Sequence, residues 1–173
     1  MTKFGIEVKW AALITLLYII WALIEKQLGW HEDFTHILKS TFLFFIIVFI
    51  FYVFAFLDKK KNTYQNNWSI KDAFKFGMFL TGLLAILNPM VQYIIYHSIS
   101  PDYFSNIIRY KLQQPGTTLT EEKLAALFNL EVYIRNGIFD TLSYGVIYSI
   151  ALAYFLKTKS YAAPQLISKK TKK

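Results

Sequence analysis

Asn88 and Gln92 stand four residues apart in an otherwise apolar stretch, with Pro89 between them. On a helix that spacing puts both amides on one face. In hydrocarbon each amide needs hydrogen-bond partners in the protein or in water. Pro89 removes one backbone donor, leaves the carbonyl of Ala85 without its usual partner, and predicts a kink. The functional reading is a solvated cavity or hinge; the default is a kink whose amides bond across helices and hold a bundle together. Asp140 heads a second polar stripe, with Tyr144 and Tyr148 at i+4 and i+8. It suits a proton or ion site, but the default is a carboxylate near the start of its helix, bonded to a tyrosine or to Arg135 at the membrane surface. Asn88, Gln92 and Asp140 together form the candidate polar site within the membrane.

The three histidines, His31, His36 and His97, have Glu25, Glu32 and Asp33 near the first two. Imidazole and carboxylate suit a divalent metal. However, His-x-x-x-x-His is no standard ligand pair and His-Glu-x-x-His is absent, so no metal and no cofactor is assigned. With no cysteine, disulfides, thiolate metal sites and thiol nucleophiles are excluded. Catalytic triads, phosphate loops and dinucleotide fingerprints are also absent, so no catalytic residue is named and the expectation is a protein that is not an enzyme.

The elements that must hold these groups are unbroken apolar runs. Of 173 residues 55% are apolar and only 17% charged, too few charges for a soluble surface. Four spans are predicted, at about 4–28, 37–57, 76–99 and 138–156, within one domain covering 1–173. The first resembles a secretory signal, yet it carries Trp10, Tyr18 and Trp21 and runs into Glu25-Lys26-Gln27 without a small-residue cleavage site, so it is read as retained. The third has 24 uncharged residues, roughly 36 Å of helix at 1.5 Å per residue. Thirteen lysines fall at the N-terminus, between spans two and three, and after span four, against six basic residues on the opposite side. The positive-inside rule then puts both termini in the cytoplasm. The formal charge of +8 does not point to nucleic acid, because the lysines cluster at span ends.

Between the third and fourth spans, residues 100–137 read as a helical outer loop. Ser100-Pro101 starts a short helix holding Tyr103, Phe104, Ile107 and Ile108, and Gln114-Pro115-Gly116 breaks it. Thr118 and Glu121 fit a capping box opening a helix with Leu124, Leu127, Phe128 and Val132, which continues into the last span. The basic tail, 157–173, is expected to lie against an anionic leaflet. Small residues recur at every fourth position at Thr141, Gly145, Ser149 and Ala153, with Gly77, Thr81 and Ala85 as a natural mate in the third span. The second span has seven phenylalanines (Phe42, Phe44, Phe45, Phe49, Phe51, Phe54 and Phe56) and is expected to face lipid. A faint repeat pairs Lys3-Phe4-Gly5 with Lys75-Phe76-Gly77, Trp21 with Tyr93, and Glu25 with His97.

The Lys-Phe-Gly start, the lysine-rich loop leading to Ser69-Ile70-Lys71-Asp72-Ala73-Phe74-Lys75-Phe76-Gly77, the Ser100-Pro101-Asp102-Tyr103 break and the helical loop before the last span resemble the bacterial domain of unknown function 4199. That resemblance implies a bacterial inner-membrane protein and carries over no catalytic or binding residue. The fold class is therefore all-α, an integral membrane four-helix bundle. The leading functional expectation is a non-enzymatic component that sits in lipid and binds a membrane partner or a second copy through the small-residue face of the fourth span. The rival is a small transporter or channel with its site at Asn88, Gln92 and Asp140, and a metal-dependent enzyme using the histidines comes third.

Overall fold

The computed structural model describes residues 5–158. Lys3, Phe4 and the tail from residue 159 onward, including the predicted lysine cluster, lie outside the described residues. Four helices are long and apolar enough to cross a bilayer: α1 (Gly5–Gln27), α2 (Ile37–Tyr64), α3 (Ile70–Tyr93) and, after the short α4 (Tyr103–Leu112) and α5 (Glu121–Leu127), α6 (Leu130–Leu156). Their outward faces are apolar: Ile86 and Phe155 are each 76% exposed. Such faces need lipid around them. The architecture is an all-α four-helix membrane bundle with a helical loop between α3 and α6.

Local chemistry sets the boundaries. Gly29, at φ +73°, closes α1: Gly29 N–H donates to Lys26 O at 3.1 Å and Trp30 N–H to Glu25 O at 2.9 Å. These two bonds satisfy the last carbonyls of the helix. A short 3-10 turn, Phe34–His36, leads into α2, and Gln65 and Asn66, both at positive φ, end it. Ser69 caps α3, its hydroxyl accepting from Asp72 N–H at 3.1 Å. Past Pro89, α3 widens into a π-helical turn, Ile94–Ile99. Ser100 N–H donates to Ile95 O at 2.8 Å and closes that turn.

Several predicted edges move. The helices of the second and third spans run to Tyr64 and from Ile70, because the charged ends continue as helix beyond the apolar core. In the loop, Thr120 and not Thr118 caps α5, accepting from Lys123 N–H. Starting there places Glu121 and Glu122 in the first turn, where the helix dipole favours them. α5 does not run into the last span: Phe128 leaves the helical region and Asn129 caps a new helix, its Oδ1 accepting from Val132 N–H at 3.0 Å. Asp140 therefore lies nearly three turns inside α6 and is not a helix-start carboxylate. α4 begins at Tyr103 after Asp102, and Ser100 makes no cap there.

The second span is not simply a lipid face. Phe42 and Phe54 point outward, but Phe56 is fully buried, edge-on to Trp68 and Phe76 at 5.8 and 5.1 Å. Phe49 meets the Tyr148 ring at 5.1 Å. With aromatics all around α2, some rings necessarily fill the seams toward its neighbours.

The main core, including Ile14, Val48, Tyr52, Phe56, Trp68, Phe76, Leu80 and Leu152, occupies the half of the bundle that holds the lysine-rich α2–α3 loop. Polar ties lock that end. Lys9 Nζ and Trp10 Nε1 both reach Asp58 Oδ2, at 2.5 and 2.7 Å. Lys60 Nζ and Trp68 Nε1 donate to Leu156 O at 2.8 and 2.9 Å, covering a carbonyl that the end of α6 leaves open. Lys59 Nζ lies 2.8 Å from Glu7 Oε1, with both side chains buried.

Candidate binding cavity

At the opposite end the helices part around a cavity of about 440 Å³. Tyr18, Trp21, Ala22 and Glu25 of α1 face it at helical spacing, and Phe44 and Phe45 of α2 form one wall. Asn88 and Gln92 of α3 come from one side, and Asn136, Gly137, Asp140, Thr141 and Tyr144 of α6 from the other. The structure thus brings Asn88, Gln92 and Asp140 to one space.

Its floor is polar. Asn88 Nδ2 reaches Thr141 Oγ1 at 3.5 Å, the Tyr144 hydroxyl donates to the same oxygen at 3.4 Å, and the Tyr18 and Tyr144 hydroxyls bond each other. Asn88 Oδ1 and Gln92 Oε1 are buried without a hydrogen-bond partner among the described residues. A Cβ on Gly137 would stand 2.7 Å from Asn88 Oδ1 and 2.8 Å from Gln92 Nε2. The glycine is what lets α6 pass over both amides.

The roof is built on His31. Its Nδ1 is 2.5 Å from Ser100 Oγ and its Nε2 is 3.5 Å from Glu25 Oε2. Ser40 donates to the other oxygen of Glu25, and Asn106 Nδ2 to the His31 carbonyl at 3.3 Å. One buried imidazole therefore ties the α1–α2 turn, α1 and the end of the π-helical turn together. Tyr103 packs edge-on to that ring at 5.2 Å. Burial, with Tyr96 next in effect, pushes its phenol well above the ordinary tyrosine range, so it remains a neutral donor.

Charge on the lining is one-sided. Glu25 and Asp140 contribute carboxylates, and among the described residues no lysine or arginine lines the space. Anions are disfavoured there. The histidines do not converge: His36 packs near Trp30 and His97 stacks on Tyr93. Among the described residues no group of three or more His, Cys, Asp or Glu is placed to hold a metal.

A family model described as a protein of unknown function, DUF4199, matches residues 9–158. The chain belongs to the DUF4199 family. The match spans all four long helices and agrees with the resemblance drawn from the sequence. No curated protein and no solved structure matches.

In this DUF4199 chain the small-residue stripes serve contact within the bundle. Gly77 faces Ser149 and Gly145 faces Thr81, and Thr141, Ala153 and Ala85 are buried as well. That face of α6 is covered by α3 within the chain. Sequence reasoning missed Tyr18 and the Glu25–His31–Ser100 roof. The spacing of Tyr18, Ala22 and Glu25 at i, i+4 and i+7 was the available signal.

Proposed function

We propose that this chain is a multi-pass protein of the bacterial inner membrane, with both termini cytoplasmic, that binds a small hydrogen-bonding solute from the outer side as a transporter does. The observation that carries this reading is that Asn88 and Gln92, whose side-chain oxygens are buried without a hydrogen-bond partner among the described residues, line a cavity of solute size. Buried polar atoms left unpaired are a cost a fold retains at functional sites. A cavity confined to one end of the bundle, with the aromatic core filling the other, fits alternating access better than a continuous pore. The reading assigns no catalytic step.

Two measurements test it. In this cysteine-free chain, Gln114→Cys and Asn136→Cys should react with a small impermeant thiol reagent added to intact cells, and Lys61→Cys should not. Labelling of Lys61→Cys alone would invert the topology, and an inert Asn136→Cys beside a reactive Gln114→Cys would mean the cavity is not entered from outside.

The second measurement separates solute binding from packing. Asn88→Leu removes the unpaired Oδ1 and gives up only the long 3.5 Å contact from Nδ2 to Thr141 while keeping the same branched shape, so the melting temperature in detergent should stay level or rise while solute counterflow in proteoliposomes is lost. A fall of several degrees would assign Asn88 to bundle packing.

A further inference from the structure

The cavity also has a side door. Where α2 and α6 diverge, a groove of about 530 Å³ runs along the outer surface between Phe42, Ile46 and Phe49 on α2 and Ile147 and Tyr148 on α6. Phe45, Asp140 and Tyr144 line both spaces. The groove is apolar and faces the surface that lipid must cover. Asp140 stands at the junction, exposed, and among the described residues it makes no hydrogen bond or ion pair. A carboxylate beside hydrocarbon without a partner is costly and calls for a cation.

We propose that the cavity and groove together take an amphiphilic primary amine, its ammonium at Asp140 and its alkyl chain in the α2–α6 groove. This rests on the cavity being a binding site and names the chemical class of its ligand. Three observations specify the head. Asp140 supplies the countercharge. Asn88 and Gln92 line the cavity, and their side-chain oxygens have no donor among the described residues; a primary ammonium brings three donors. Among the described residues no lysine or arginine on the lining is placed to meet a phosphate, which argues against a phospholipid headgroup. The tail follows from length. From Asp140 to Tyr148 along α6 is roughly 12 Å at 1.5 Å rise per residue, the reach of a chain of about ten carbons.

The test uses the full chain in a neutral maltoside detergent, with radiolabelled decylamine, butylamine and decanoate as probes. Decylamine should bind saturably, at least tenfold more tightly than butylamine, and decanoate should not compete. Asp140→Asn should weaken decylamine at least tenfold without changing the melting temperature. Ile147→Trp, which fills the groove, should abolish the preference for decylamine and spare butylamine. If butylamine binds as tightly as decylamine to the unmodified protein, the side door is wrong while the solute cavity stands. If no amine binds, if decanoate competes equally, or if phosphatidylethanolamine displaces decylamine, the amine assignment is overturned. Full decylamine affinity in Asp140→Asn would overturn it as well.

Discussion

Lys59→Met should be among the most damaging single substitutions in this chain, lowering stability by about 3–5 kcal/mol, as expected when one partner of a buried ion pair is removed. Lys59 and Glu7 have side chains only 7% and 6% exposed, and they meet at 2.8 Å. Among the described residues Glu7 Oε2 has no hydrogen-bond partner, so they offer the carboxylate no second donor to fall back on. Removing the lysine leaves a buried charge between α1 and α2 at the lysine-rich end. The double variant Glu7→Gln with Lys59→Met should recover most of the loss, because no charge is then buried. Thermal unfolding in detergent of the two single variants and the double variant tests this. A double variant as unstable as Lys59→Met alone would show that lysine packing against Phe76 matters more than its charge.

The same pair marks how much was legible from sequence. Run length and the lysines at span ends were enough for four helices, since both follow from what hydrocarbon excludes. The fate of individual charges was not legible. Lys9, Lys59 and Lys60 look alike in sequence, yet Lys9 meets Asp58 at the surface, Lys59 is buried on Glu7, and Lys60 holds the end of α6. The phenylalanines of α2 failed for a related reason. In a membrane protein lipid and core are equally apolar, so Phe42 and Phe56 cannot be told apart by residue type. Asn88 and Gln92 stood out because amides are rare in such surroundings, whereas Glu25 sits where charged residues commonly mark the membrane edge and Tyr18, near the middle of α1, is one aromatic among many. The cavity itself depends on how far α2 and α6 diverge, which no local pattern encodes.

Gly145→Leu should be comparably severe, and for a reason that also bears on function. A Cβ on Gly145 would stand 2.9 Å from Thr81 Cβ. Thr81 has nowhere to go: it is fully buried, its hydroxyl donates to Gly77 O at 2.8 Å, and it bonds the Tyr52 hydroxyl across to α2 at 3.1 Å. A leucine must therefore push α6 off α3. Overpacking of this kind costs about 3 kcal/mol or somewhat less, and in lipid little hydrophobic drive exists to bring the helices back. Phe42→Leu, on the outward face of α2, should stay within about 0.5 kcal/mol of the parent. The displacement would also lift Gly137 from Asn88 and Gln92, so bound solute should be lost even in molecules that remain folded. If α3 and α6 form the fixed spine, then opening and closing of the cavity falls to α1 and α2, which meet beside it through the rings of Tyr18, Trp21 and Phe44. A Gly145→Leu protein that melts like Phe42→Leu would remove that spine. The motion would then have to be sought between α3 and α6 instead.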